Sequence, residues 1–210
     1  MCEGLLTVKV EFQIGGIMLV RQANTQDLDA VCAVFASAFD RTAQWQWMIP
    51  DDDVRRPALN VLVRPLVQHA LKVGQLDVAE VERDIVGALA WVPSNRRQST
   101  SWRQVLTGPR LVRVLGGKRM RLFGDRGKQF SKAADSARPV DNHWYLSSLM
   151  VTPEAQGQGV GSALMEHGPE GAAYLECEEE LVPYYERFGF EVVHRIEGED
   201  IPLQIGMWRN

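Results

Sequence analysis

The alternation of apolar and polar positions predicts a strand and then a helix at the start of the chain. Residues 17–24 (IMLVRQAN) form a short β-like run, and Thr25 is placed to cap a helix whose apolar residues recur at spacings of three and four up to Phe39. Residues 6–12 (LTVKVEF) alternate too, which leaves two interpretations open for residues 1–17: an extra strand, or an N-terminal extension before a domain at 18–210.

Over residues 40–92 the hydrophobic pattern predicts a loop, a helix and a hairpin. Residues 40–52 are rich in Trp and Asp and indicate a loop, whereas residues 53–73 have helical periodicity and end at Gly74. Pro65 within this run predicts a kink or two shorter helices. Residues 75–81 and 85–92, joined by a polar turn at 82–84, predict an antiparallel hairpin.

The last third of the chain predicts short, closely spaced elements. Residues 143–151 (HWYLSSLMV) are the most strand-like run, followed by the glycine-rich residues 156–161 (QGQGVG) and a brief helix from Val160 to about His167. A strand at 172–177, a short helix at 183–188 and strands at 190–196 and 203–209 follow. The order predicts a mixed α/β fold in which one β–loop–helix–β unit forms a parallel pair.

Composition narrows the class of protein. With 210 residues, 45% hydrophobic and 24% charged, the chain has the profile of a globular protein, which excludes disorder, collagen and coiled coil. No apolar run approaches the ~20 residues of a membrane span and no signal peptide is recognisable, so we expect a cytoplasmic protein. Three widely spaced cysteines predict neither a disulfide framework nor a metal site.

The net charge of −4 conceals a strongly basic block. Residues 94–138 hold twelve Lys or Arg and two Asp or Glu, a net charge of +10, which leaves −14 for the rest of the chain. Glycines at 108, 116, 117, 124 and 127 interrupt the block, so we predict an insertion of two or three short helices at about 94–138 within a single domain.

The glycine-rich loop indicates anion binding. Because glycines allow close approach of the backbone and the loop opens into a helix, several N–H groups point at one place, which suits a phosphate or pyrophosphate. The loop alone is a weak signal, since it lacks the Lys-Ser/Thr of a Walker A loop and the spacing of a dinucleotide fold.

Two motifs together resemble one family. Gln156-x-x-Gly159-x-Gly161 after the strand 143–151 is similar to the Q/R-x-x-G-x-G/A loop of the GNAT acetyltransferases, and residues 183–190 (PYYERFGF) resemble the family's Y-E-R-x-G-F segment. HWYLSSLMV, AYLE and a terminal MWR resemble the actinobacterial group that includes puromycin N-acetyltransferase. The resemblance is close over 143–210, moderate over 18–92 and weak over 94–138.

The resemblance implies a fold and a co-substrate. The fold would be a twisted, mostly antiparallel sheet with helices on both faces and a central parallel pair splayed at the acetyl-CoA site. Backbone groups of Leu149, Met150 and Val151 would pair with pantetheine. The loop would hold the pyrophosphate through Gln156, Gly157, Gln158, Gly159, Val160, Gly161 and Ser162. One departure is the helix after the loop, which has only about nine residues, or ~13 Å.

The same resemblance places the general acid at Tyr185. A thiolate leaving group, whose thiol has a pKa of about 8.5, can be protonated by a phenol of pKa about 10. The alternative is that Tyr184 and Tyr185 are core aromatics. An ammonium must also lose a proton before attack, and the candidate bases are His143 and Glu176. His143 could instead be structural, and Glu176 a solvated or salt-bridged carboxylate.

The acceptor is expected to be a small-molecule primary amine. Tyr145 and Ser147 share a strand face with His143 by the period-two rule, and in this fold that strand borders the acceptor. The other candidate binding residues are Trp45, Trp47, Asp40, the aspartates at 51–53 and parts of the basic block, although the Trp residues could equally be core. A homodimer is left open as an oligomeric state.

There are three alternatives to this function: acetylation of a protein N-terminus or lysine, a non-catalytic acyl-CoA-binding regulatory module, and nucleic-acid binding by the basic block. The last is disfavoured because the basic residues alternate with apolar ones as on solvated helix faces. We predict that the basic block flanks the mouth of the active site.

Overall fold

The computed structural model describes residues 8–11, 17–96 and 108–210. Its strands are β1 Val8–Glu11, β2 Ile17–Gln22, β3 Gln75–Val81, β4 Asp84–Pro93, β5 Trp144–Val151, β6 Ala173–Cys177, β7 Glu191–Gly198 and β8 Ile201–Arg209. Its helices are α1 Leu28–Phe39, α2 Ala43–Met48, α3 Asp52–Val73, α4 Pro109–Ala137, α5 Val160–Glu166 and α6 Val182–Glu186.

The strands form one mixed sheet in the order β1-β2-β3-β4-β5-β6-β8-β7. Every neighbouring pair is antiparallel except β5 and β6, which are parallel. The β3–β4 hairpin turns at Glu82 and Arg83, which both have positive φ, so the turn follows the right-handed twist of its strands. The predicted mixed α/β sheet with one parallel pair is confirmed.

Helices cover both faces of the sheet. Buried side chains of α1 and α3 pack on β3 and β4 on one face, and those of α5 and α6 pack on β4, β5, β6 and β8 on the other. Gly87 of β4 permits the second contact, since a Cβ there would lie 2.7 Å from Cγ1 of Val160. A third apolar cluster joins α2, α3 and α4 through Met48, Ile49, Ala58, Leu62, Leu111, Leu115 and Phe123.

Three local expectations need correction. Thr25 does not cap α1: it begins the 3-10 turn Thr25–Asp27 that leads into α1, and this turn is capped by Asn24, whose side chain accepts a hydrogen bond from Gln26 N at 2.8 Å. Residues 43–48 form a helix instead of a loop. The α3 helix runs unbroken past Pro65, because both of its prolines lie on the exposed face while its apolar face packs on α1 and the sheet.

The described part of the basic block is one long helix with a single interruption. Gly116 has φ +69°, which divides α4 into two helical pieces, whereas Gly124 and Gly127 lie buried within the helix. Among the described glycines of the block, Gly116 therefore interrupts the helix and Gly108 precedes its first residue. The part of the predicted insertion at 97–107 lies outside the described residues.

Candidate active site

The centre of the sheet opens where β5 and β6 separate. The two strands pair only at Trp144 with Ala173 and Tyr145 with Tyr174. Beyond this point β5 continues its ladder with β4 alone, through Leu149, Met150 and Val151. The edge of β5 that faces β6 therefore has backbone groups available for an extended ligand.

A bulge in β5 lies at the start of this opening. Ala90 of β4 pairs with Ser148 and Trp91 pairs with Leu146, so Ser147 is an extra residue. A bulge bends its strand and increases the local twist. It turns the second half of β5 away from β6.

A pocket of about 220 Å³ occupies the opening. Residues of β5 and β6 line it from the sheet, α1, α2 and α3 from one side, and the end of α4 from another. The predicted site residues in its wall are Trp45, Tyr145, Ser147, Leu149, Glu176 and Tyr185. The predicted position of the basic block agrees, because Phe130 and Arg138 line the same pocket as Tyr185.

The glycine-rich loop lies directly after β5 and begins α5. Gly157 and Gly159 have φ of +75° and +84°, and a Cβ at either residue would meet no atom within 4 Å. Their backbone therefore faces open space. The amide side chains brace the loop, since Gln156 Nε2 donates to Val151 O at 3.1 Å and Gln158 Nε2 to Glu154 O at 2.7 Å.

The other loop residues contribute in different ways. Val160, the first residue of α5, has its side chain buried in the core between α5 and the sheet, so only its backbone can face a ligand. A Cβ at Gly161 would lie 2.8 Å from the Tyr184 hydroxyl, so Gly161 permits contact between α5 and α6. The crossover helix is short, as expected: α5 has seven residues and includes Ser162.

Tyr185 lies at the floor of the pocket. It is 6% exposed, and its ring contacts those of Tyr184 and Phe190 at centroid distances of 5.0 and 6.2 Å. Burial raises the pKa of Tyr185 above the usual value for a phenol, so the hydroxyl keeps its proton at neutral pH. Burial also raises the pKa of Tyr184 to about 12, but Tyr184 is not a pocket residue.

Glu176 is held by an arginine that the sequence did not single out. Arg138, the residue after α4, donates from Nε to Glu176 Oε1 at 2.6 Å and from Nη2 to Oε2 at 2.9 Å. The side chains of Glu176 and Arg138 are 7% and 15% exposed. The Tyr145 hydroxyl approaches Oε2 at 3.4 Å, and the guanidinium lies over the Tyr145 ring at 5.9 Å. Glu176 is therefore a salt-bridged carboxylate that also lines the pocket.

The other candidate base, His143, lies outside the pocket. It precedes β5 at the end where β5 and β6 are still paired, and its ring contacts Tyr174 and Trp208. Its Nδ1 lies 2.6 Å from the Asp141 carbonyl oxygen. His143 does share a strand face with Tyr145, yet it is about 7 Å further along the strand, at the closed end.

The remaining acceptor candidates have structural contacts. The Asp40 carboxylate pairs with Arg55 at 3.4 Å. Trp47 packs in the cluster of α2, α3 and α4, with the Arg126 guanidinium over its ring at 5.3 Å. Asp51 caps α3 and accepts from Arg119 of the insertion at 2.7 Å. Asp52 pairs with Arg55, and Asp53 contributes only the capped backbone N–H.

Sequence reasoning missed the other polar wall of the pocket. Glu178 lines it and accepts from Ala43 N, in the first turn of α2, at 2.9 Å. The available signal for Arg138 was its position at the end of the basic block, just ahead of β5.

No helix among the described residues is both long and apolar enough to cross a membrane.

Comparison with known proteins agrees with this geometry. The family model for the acetyltransferase (GNAT) domain matches residues 121–192, which include β5, the glycine-rich loop, β6 and α6. A Corynebacterium glutamicum protein described as histone acetyltransferase HPA2 and related acetyltransferase is 28% identical over 90% of this chain and 94% of that chain, with a TM-score of 0.67.

Two further solved structures share the fold. Putative arylalkylamine N-acetyltransferase 7 of the yellow fever mosquito is 11% identical over 99% of this chain and 97% of that chain, with a TM-score of 0.65. A GNAT family acetyltransferase from Brucella melitensis in complex with acetyl-CoA is 17% identical over 90% of this chain and 86% of that chain, with a TM-score of 0.50. The resemblance to the puromycin group stays a prediction. The chain therefore has the fold of the GNAT acetyltransferases, and the model of their domain matches residues 121–192.

Proposed function

We propose that the protein transfers the acetyl group of acetyl-CoA to the primary amine of a small molecule, with Tyr185 as general acid. One observation carries the proposal: the opening between β5 and β6 has the glycine-rich loop at one end and a pocket containing a buried, protonated tyrosine at the other. Acetyl-CoA lying along β5 would have its phosphates at the glycine-rich loop and its acetyl group near Tyr185.

The residues present suit acetyl-CoA. The open Cβ positions of Gly157 and Gly159 leave room for a pyrophosphate against the backbone N–H groups of residues 157–162. The unpaired edge of β5 at Leu149, Met150 and Val151 suits the amides of pantetheine. Gln156 and Gln158 hold the loop in shape.

The chemistry is direct attack. The neutral amine adds to the thioester carbon, and a backbone N–H near Leu149 or Met150 stabilises the resulting oxyanion. The tetrahedral intermediate then expels the thiolate of coenzyme A, which takes the Tyr185 proton as the C–S bond breaks. The extra proton on the acetylated nitrogen passes to solvent, and the Tyr185 phenolate regains a proton from solvent. Burial keeps the phenol protonated at neutral pH, so a proton is present when negative charge develops on sulfur.

Glu176 is the proposed base. It lies on β6 across the opening from Ser147 and Ser148, and it lines the pocket together with Tyr185. Proton transfer through a water to Oε2, the oxygen that Tyr145 approaches, would remove the ammonium proton. Its ion pair with Arg138 fixes the carboxylate in one orientation.

Thiol release tests the whole proposal. The protein is incubated with acetyl-CoA and a panel of primary amines, and free coenzyme A is followed. Amine-dependent release supports the enzyme. Binding of acetyl-CoA in a thermal-shift assay without release from any amine would contradict the proposal and favour a regulatory module.

Gly159→Ala should raise KM for acetyl-CoA about tenfold. Alanine at φ +84° costs roughly 1–2 kcal/mol, and relaxation of that strain would move the loop N–H groups away from the pyrophosphate. Gly171→Ala is the matched control, because Gly171 has φ +90°, equally open surroundings and a position outside the loop. Equal KM values for the two variants would contradict the role of the loop.

A further inference from the structure

We propose that the acceptor is a small amine with an apolar, preferably aromatic, body and no charged group besides the reacting amine. The inference rests on the proposed function and names its substrate class. It follows from the state of the charged side chains in the pocket wall, each of which is already bonded within the protein.

Most of the pocket wall is apolar. Besides Tyr145 and Tyr185, four aromatic side chains from the helices α1, α2 and α4 line it, beside aliphatic side chains of α3; these four are Phe35, Phe39, Trp45 and Phe130. The Phe35 ring meets Trp45 edge to face at a centroid distance of 6.0 Å and packs on Phe39 in a tilted arrangement at 4.5 Å. At about 220 Å³ the pocket is smaller than the roughly 300–1,000 Å³ that hold drug-sized ligands. A compact apolar group fits this wall, and an aromatic ring can add edge-to-face contacts.

The Nε–Nη2 edge of the Arg138 guanidinium is already hydrogen-bonded within the protein, so it does not offer a substrate carboxylate two parallel donors. Among the described residues it is the one cation in the pocket wall. Its Nε and Nη2 donate to the two oxygens of Glu176, and its Nη1 donates to Asp135 Oδ1 at 2.6 Å. A carboxylate usually binds such a guanidinium through two parallel hydrogen bonds, and that edge is occupied. An amino-acid acceptor would therefore bury its carboxylate without a partner.

The carboxylates in the pocket wall are already bonded within the protein. Glu176 is paired with Arg138, which balances its charge and leaves it capacity for one proton or one amine. Glu178 caps the N-terminus of α2 through Ala43 N. A diamine would have to place its second charge against the aromatic wall, where desolvation opposes it, or compete with α2 for Glu178.

Matched amines separate charge from shape. The panel contains two matched pairs. Phenylalaninamide and phenylalanine differ by a carboxylate, and n-butylamine and 1,4-diaminobutane differ by an ammonium. The other two amines are 2-phenylethylamine and a lysine-containing peptide. We expect kcat/KM, calculated for the unprotonated form of each amine, to be at least 100-fold higher for phenylalaninamide than for phenylalanine and at least tenfold higher for n-butylamine than for the diamine. We also expect the highest value for 2-phenylethylamine.

The outcomes distinguish this inference from the proposed function. Release of coenzyme A that is fastest with phenylalanine, the diamine or the peptide would overturn the inference and leave the acetyltransferase standing. Release with none of the six compounds would overturn both. Release in the expected order supports both.

Substitutions in the pocket wall test the same preference for an aromatic amine. Phe130→Ala should raise KM for 2-phenylethylamine about tenfold and leave KM for n-butylamine within about twofold, because only the larger amine reaches that side of the pocket. Leu122→Ala is the control on the same helix, since Leu122 is exposed and outside the pocket. Equal changes for the two amines in Phe130→Ala would contradict the assigned wall.

Discussion

Tyr185→Phe is expected to lower kcat by about 10²- to 10⁴-fold while leaving acetyl-CoA binding intact. General acid catalysis contributes rate factors of this size, and phenylalanine fills the same buried space. Steady-state kinetics with 2-phenylethylamine measures kcat, and isothermal titration of acetyl-CoA measures binding.

The neighbouring tyrosine supplies the control. Tyr184→Phe removes a hydroxyl that lies against Gly161 and outside the pocket, so kcat should change only a few-fold. Turnover in Tyr185→Phe equal to that in Tyr184→Phe would contradict the general-acid assignment.

The pH dependence follows from the direction of the pKa shift. Since burial raises the pKa of Tyr185 above its usual value of about 10, the acid form persists throughout the neutral and mildly alkaline range. The rate should therefore rise with pH as the acceptor amine loses its proton, with no fall up to about pH 9.5. A decline between pH 8 and 9 would show that the acid is a different group.

Arg138→Ala should cost about 3–5 kcal/mol of unfolding free energy. The substitution leaves the Glu176 carboxylate, which is 7% exposed, without its cation, and removal of one partner of a buried ion pair has costs of this size. Urea unfolding measures the loss. Arg138→Lys should recover only part of it, because an ammonium cannot donate the two parallel hydrogen bonds of the guanidinium.

Two further variants test whether the loss of stability in Arg138→Ala comes from the unpaired charge of Glu176. Arg138→Ala with Glu176→Gln should be more stable than Arg138→Ala, since the buried charge is then removed. Arg195→Ala breaks exposed ion pairs with Glu179 and Glu197 and should have little effect. If Arg138→Ala is as stable as Arg195→Ala, the buried pair does not hold the end of the insertion on β6.

The elements around the site follow closely from local sequence. The strand 143–151, the glycine-rich loop, the short helix and the Tyr185 segment were predicted within a few residues. Their signals are local: period-two apolar runs, glycines where φ is positive and a short crossover. The prediction of a loop at 40–52 was wrong, because the short α2 is held by contacts with α3, α4 and Glu178 from distant parts of the chain.

The composition of the pocket was decided by the tertiary structure. The period-two rule correctly put His143 and Tyr145 on one face, but it could not show that β5 and β6 stay paired at one residue and separate after the next. Trp45 and Trp47 were equivalent by pattern; both pack against the cluster with α4, and only Trp45 also lines the pocket.

The sequence by itself determined the mixed α/β order, the glycine-rich loop and the tyrosine segment, because each depends on residues within a few positions of one another. Only the tertiary structure decided that Arg138 pairs with Glu176, 38 residues away, and that the basic block closes one side of the pocket. The physical reason is that local patterns set backbone conformation, whereas charge pairing and burial depend on which distant surfaces the folded sheet brings together.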